Sequence, residues 1–179
     1  MLFQTLSSLA FAATALGGLK PSGSQTGGCD ETDKGQTYAR ATKTNTGVAI
    51  MYSWYMAKDQ TLDDVSPGSH RHDFENVVIW LSNDTTTVLG GAASGHGEYK
   101  KTKGTLPGGD SPTVEYFATF PTNHELQFSL AEGSTYPVSD WDAMPEAARK
   151  ALQDTDFGKA SPPFKDGSFE ENLGEAALD

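Results

Sequence analysis

Gly47-Val48-Ala49-Ile50-Met51-Tyr52-Ser53-Trp54-Tyr55-Met56 carries no charged side chain and is dense in β-branched and aromatic residues, the composition of a central strand. Working outward from it, Lys58 to Ser69 turns polar, with Asp63, Asp64, Pro67 and Gly68 supplying turn chemistry. Phe74-Glu75-Asn76-Val77-Val78-Ile79-Trp80-Leu81 reads as a second strand, closed by a Ser82-Asn83-Asp84 turn. Thr85 to Ala93 and Val114 to Phe120 read as two more, separated by a long polar loop from Gly95 to Pro112. The stretch before the central strand, Gly17 to Asn45, is rich in Gly, Ser, Thr and Lys and reads as loop. Helical spacing appears only late. Met144, Ala147, Ala148, Ala151 and Leu152 fall on one helix face, with Pro145 in the first turn and Gly158 past the end. Ser168 and Glu171 have capping-box spacing and open a short helix carrying Phe169, Leu173 and Ala176. Strands first and helices after predict an α+β fold that is mainly β, a sheet sandwich with peripheral helices and no internal repeat.

The bulk composition narrows the function. A chain of 179 residues, 36% hydrophobic with 19 Gly and 9 Pro, suits one domain of short elements joined by tight turns. Its 13 basic and 24 acidic residues give a formal charge of −11, which repels phosphate backbones and excludes nucleic acid as a partner. Anionic lipid would be repelled too, unless a cation bridged the contact. No run of ~20 apolar residues is present, so no transmembrane segment is expected. Met1 to Leu16 is apolar and small, and Ala13-Thr14-Ala15 fits the small-x-small cleavage rule. Residues 1–15 are therefore expected to be a signal peptide, and residues 16–179 a single secreted domain, the alternative being a buried N-terminal helix. Cys29 stands alone, which in a secreted chain means a free thiol, an intermolecular bridge or a lost partner.

The densest chemistry is His70-Arg71-His72-Asp73-Phe74-Glu75. Side chains alternate along a strand, so Asp73, Glu75, Val77, Ile79 and Leu81 share one face. Two carboxylates thus head an apolar face, where a cation would neutralise them. His70 falls off that alternation unless Ser69 to Arg71 bends. Hard carboxylate oxygens with one imidazole suit Ca²⁺, Mg²⁺ or Mn²⁺. A solvated turn is the plain alternative, and zinc held by His70 and His72 with His96 or His124 is another. No nucleophile and base stand in a recognisable elbow, and an acid–base role for Asp73 and Glu75 has no identified substrate. Tyr52, Trp54, Trp80 and Tyr116 are expected in the core rather than as ligand platforms.

Two blocks, Ala49-Ile50-Met51-Tyr52-Ser53-Trp54-Tyr55-Met56 with Lys58-Asp59, and Gly68-Ser69-His70-Arg71-His72-Asp73-Phe74-Glu75, closely resemble the signatures of the necrosis- and ethylene-inducing-like proteins. Gly18 to Ser24, Ser94-Gly95-His96, Tyr99-Lys100-Lys101, Pro121-Thr122-Asn123-His124 and Thr155-Asp156-Phe157-Gly158 resemble further landmarks in the same order, so the likeness runs from about Gly17 to the end. The resemblance implies a secreted toxin of plant-associated microbes, built as a central antiparallel β-sandwich flanked by helices, like actinoporins and fungal lectins. It implies a cytolysin and virulence effector that binds sphingolipid headgroups of plant plasma membranes, causes necrosis and engages plant immune receptors, without being an enzyme. It also implies a divalent metal held by Asp59, His70, Asp73 and Glu75. Arg71, His72, Phe120, Asn123 and His124 would then contact the headgroup or membrane.

The chain departs from the family pattern in places. Ser69 and Phe74 stand where the family heptapeptide has Gly and Trp, and Phe120 stands where the sensing loop carries Trp. The spacer between Asp59 and His70 is longer by a few residues around Asp63-Asp64-Val65, which threatens to move Asp59 out of ligand range. Family members carry a further N-terminal segment bearing the partner of Cys29, so reduced activity is expected of the sequence as written. Two other functions stay open at this stage: a metal- or carboxylate-dependent hydrolase of plant polysaccharide, and a non-toxic relative sensed by plant immunity.

Overall fold

The computed structural model describes residues 10–12, 36–59, 70–95, 97–109, 111–119 and 123–178, with side chains at 36–56, 70–95, 97–109, 111–117 and 125–178. The apolar run at 47–56 lies almost wholly in β3 (Val48–Asp59). β3 pairs antiparallel with β4 (His70–Leu81) on one edge and with β2 (Thr37–Lys43) on the other. It is apolar on both faces because both faces are covered. Val48, Ile50, Tyr52, Trp54 and Met56 enter one buried cluster, and Ala49 and Met51 enter another.

Beyond β4 come β5 (Val88–Gly95), β8 (Asn123–Ser129), β7 (Thr113–Thr119) and, parallel to β7, β1 (Ala10–Ala12). β9 (Val138–Asp140) runs parallel to β2 at the far edge, and β6 (Glu98–Lys103) pairs with β5. β5 is where the sheet divides. Its outer edge pairs with β6 from Gly90 to Gly95 and meets β8 at Gly95 alone. The β7–β8 hairpin therefore folds over the first cluster as a second layer, burying Val114 and Leu126 with Val77 and Ile79. Close packing of the layers requires glycine: a Cβ on Gly91 would lie 2.6 Å from the Phe128 ring. The result is a mainly β sandwich with two small helices.

The other face of β3 and β4 is roofed by the C-terminal third of the chain. Phe164 is fully buried, stacks on Tyr38 at 4.9 Å and meets Trp141 edge-on at 5.5 Å. Arg40 reaches between the Trp141 and Phe169 rings, donates to the Phe164 carbonyl at 2.8 Å and pairs with Asp166. α1 (Glu146–Asp154) and α2 (Phe169–Glu175) flank this roof. None of the helices among the described residues is long and apolar enough to cross a membrane.

Several expectations need correction. β2 occupies part of the expected Gly17–Asn45 loop, and β6 part of the Gly95–Pro112 loop. β8 and β9 add two strands to those expected. β6 and β9 are short strands with mostly polar, exposed side chains, so hydrophobic periodicity does not reveal them. The third strand starts at Val88, not Thr85, because Thr85 sits in a turn at φ +60° beside Asp84. Pro145 caps α1 from outside rather than entering its first turn, and no residue of α1 is fully buried. Ser168 makes no side-chain cap to α2, although Phe169, Leu173 and Ala176 are buried as the spacing predicts. Of the expected signal peptide only Ala10–Ala12 are described, as β1; the rest of residues 1–15, and Cys29, lie outside the described residues.

Candidate functional site

β4 is built in two halves. From Val77 to Leu81 it is paired with β3 and β5 together. Before Val77 the ladder to β5 stops, while that to β3 runs back to Asp59↔His70. The two strands diverge because β5 swings to β8. Gly95 permits the crossing: a Cβ there would lie 2.6 Å from Cβ of Glu125.

Ser94 stands in the crotch of this fork. Its hydroxyl accepts from the Asn76 N–H at 2.9 Å, replacing the lost ladder bond, and donates to the Glu75 carboxylate. The opening is a cavity of about 370 Å³, with the fork on one side and the Lys159–Pro163 loop and α2 on the other.

His70, Asp73 and Glu75 line this cavity together. Asp73 Oδ1 accepts from the Phe74 N–H at 2.9 Å, and Oδ2 accepts from the Tyr116 hydroxyl at 3.4 Å. Glu75 is buried and heads the apolar face of Val77, Ile79 and Leu81, as alternation predicts. The backbone departs from ordinary strand geometry at His72, whose φ is +65°, while Ser69 of the expected bend lies outside the described residues. His70 Nδ1 lies 3.0 Å from the His72 carbonyl oxygen. A carbonyl can only accept, so the neutral ring holds its proton on Nδ1 and its lone pair on Nε2, the tautomer a metal-ligating histidine takes.

Asp59 is the direct cross-strand partner of His70. Its side chain lies outside the described residues, as do those of Asn123 and His124 at the start of β8. Phe120 and His96 lie wholly outside them. Among the described residues no three His, Cys, Asp or Glu side chains stand close enough to hold a metal ion. The donor chemistry of His70, Asp73 and Glu75 nevertheless fits a hard cation, with Asp59 needed to complete the set.

Arg71 and His72 are not part of the cavity wall. Arg71 is exposed on the strand. His72 Nδ1 pairs with the Tyr55 hydroxyl at 2.7 Å, and its ring meets Phe157 edge-on at 5.5 Å. Burial raises the Tyr55 pKa against the opposing pull of Arg71, so its hydroxyl stays protonated beside the His72 ring. Phe74 packs against Tyr55 and Phe157, each at 5.1 Å, in the same aromatic group.

Sequence reasoning gave no role to the inner wall. Asn76 is buried there, and its Oδ1 accepts from the Tyr99 hydroxyl at 2.8 Å. Burial holds the Tyr99 pKa well above the usual tyrosine value, so that hydroxyl stays a donor. The one available signal was an amide standing directly before the apolar run Val77–Leu81.

The sequence profile of the necrosis-inducing protein family (NPP1) matches residues 8–176. The chain is 41% identical over 170 residues to NLP effector protein 10 of Phytophthora capsici, a stretch covering 89% of this chain and 70% of that protein. Its fold is similar to a solved structure described as a toxin fold as basis for microbial attack and plant defense (TM-score 0.84, 35% identity, 99% and 90% of the two chains). It is also similar to NLPPya solved in complex with mannosamine (TM-score 0.83, 32% identity, 97% and 88% of the two chains).

Proposed function

The chain belongs to the necrosis-inducing protein family, and from that premise we propose that it is a secreted cytolysin that binds sphingolipid headgroups of plant plasma membranes through a divalent cation. The observation that carries the reading is the convergence of His70, Asp73 and Glu75 on one cavity, with Asp59 in direct register opposite His70. Two or three carboxylates with one imidazole favour Ca²⁺, Mg²⁺ or Mn²⁺ over zinc. When bound, the ion neutralises the carboxylates and offers an anionic or hydroxylated headgroup an oxygen-binding centre. The protein's own part is to hold the carboxylates in place. Ser94 and Tyr116 donate to them, and the His72 carbonyl fixes the His70 tautomer.

A cation also answers the charge problem, since a chain of formal charge −11 would otherwise be repelled by anionic lipid. The mannosamine complex of NLPPya supports a sugar as the recognised group. The apolar, uncharged start of the sequence supports export, and the Phe120 loop with Asn123 and His124 is the membrane-facing candidate. The action is binding and leakage, leading to necrosis and immune responses, rather than turnover.

The test is dye leakage from vesicles made with plant sphingolipid, with Ca²⁺ or Mg²⁺ and with chelator, beside a reducing-sugar assay on plant polysaccharide. Cation-dependent leakage without sugar release is expected. Sugar release without leakage would replace this reading with a hydrolase, and neither would leave a non-toxic relative.

A further inference from the structure

We infer that the α2 end of the cavity is a second subsite, independent of the cation and headed by Asn76, that takes the hydroxyls of a saccharide ring. It deepens the sugar-binding reading above and rests on it.

The starting observation is an incomplete hydrogen-bond account. Asn76 is 4% exposed and lines the cavity. Its Oδ1 is occupied by the Tyr99 hydroxyl at 2.8 Å, which fixes the amide orientation, and its Nδ2 has no acceptor among the described residues. Buried amide donors are rarely left so, and here the missing acceptor has a cavity to come from.

The chemistry of the surrounding wall selects the ligand class. Lys159 offers a further donor, Ser161 a hydroxyl that does both, and Glu175 a carboxylate acceptor. Asn172 has committed its Nδ2 to the Pro163 carbonyl at 3.1 Å, which leaves its Oδ1 as the acceptor it presents. Donors and acceptors intermixed in this way match hydroxyl groups, which need both. A phosphate is disfavoured, because Lys159 is the one fully charged cation on the described wall against Glu98 and Glu175 as well as Asp73 and Glu75. A wholly apolar ligand would strand every one of these groups. The Phe74 and Tyr99 rings, also on the wall, give the C–H face of a sugar ring a surface to lie on. At about 370 Å³ the cavity is within the range of small-molecule sites.

Two ends of one cavity therefore ask different things of a ligand. The Asp73 and Glu75 end asks for a cation first. The Asn76 end asks only for hydroxyls.

The test is saccharide binding to the full chain, using mannosamine and methyl glucoside as probes, read by saturation-transfer NMR and calorimetry in chelator and again in Mg²⁺. The expected result is weak binding that persists in chelator and is cut about tenfold, the equivalent of one good hydrogen bond, by Asn76→Leu and by Lys159→Ala. Cation binding should be unchanged in both variants. If Asn76→Leu fails to fold, Lys159→Ala at the exposed rim decides alone. Binding that appears only with Mg²⁺, or that both variants leave intact, overturns the second subsite and spares the cation-dependent reading. Absence of saccharide binding under either condition overturns the subsite and the headgroup reading together.

Discussion

The two halves of β4 share one strand and one partner, β3, yet end in opposite environments. From Val77 to Leu81 there is a second partner, β5, and side chains on both faces are packed: Val77 and Ile79 against the β7–β8 layer, Val78 against the Trp141–Phe164 roof. From His70 to Asn76 the β5 partner is gone, and polar side chains take over work the ladder does elsewhere. Ser94 bonds the Asn76 N–H, and Tyr99 bonds the Asn76 amide. What distinguishes a core from a site here is thus one ladder, ended by a crossing at Gly95, more than any change in the strand itself.

That difference can be broken first at the closed half. Ile79 is fully buried, so Ile79→Ala should cost about 2–5 kcal/mol through lost burial and a residual cavity. Urea unfolding measures it, and cation affinity should be unaltered in the folded variant. At the fork, Ser94→Ala should cost about 1–3 kcal/mol, because it leaves the Asn76 N–H without its acceptor and removes the Ser94 hydroxyl from the Glu75 carboxylate. Cation affinity should fall with it, as Glu75 loses orientation. If Ser94→Ala proves neutral in stability and binding, the fork is not held by that hydroxyl and the contrast between the halves weakens.

The closed half was legible in the sequence because alternation and β-branching report burial directly. Asp73 and Glu75 heading the face of Val77 and Ile79 were legible for the same reason. The fork was not. It depends on Gly95 meeting Glu125, thirty positions away in chain terms and visible only when β8 is recognised. β8 and β6 have too few apolar side chains to announce themselves, and Lys100 of β6 pairs with Glu125 at 2.6 Å. The place of His72 was not legible for a backbone reason: at a φ of +65° its side chain meets Tyr55 and Phe157. Asn76 follows Glu75 and precedes the apolar run Val77–Leu81, where strand alternation alone assigns its amide no partner.

A smaller effect sharpens the far end of β4, where the turn into β5 is held by Asp84. The Ser82 hydroxyl first, then the Thr86 N–H and hydroxyl, hold its carboxyl below the ordinary value of 3.8. A depressed folded pKa contributes stability above the unfolded value and loses it as pH falls through the folded one. Wild type should therefore lose slightly more melting temperature than Asp84→Asn between about pH 6 and pH 3. Equal losses would mean that these three contacts do not favour the ionised carboxylate. The effect stays small because Asp84 is fully exposed.

The central claim is that the forked half of β4 exists to hold a hard cation, and calorimetric titration of the purified chain with Ca²⁺, Mg²⁺ and Mn²⁺ tests it most directly. One cation per chain is predicted, abolished by Asp73→Asn and strongly weakened by Asp59→Asn, with His72→Ala retaining it. A wild-type chain that binds none of the three, or tight zinc binding that depends on His72, would contradict it.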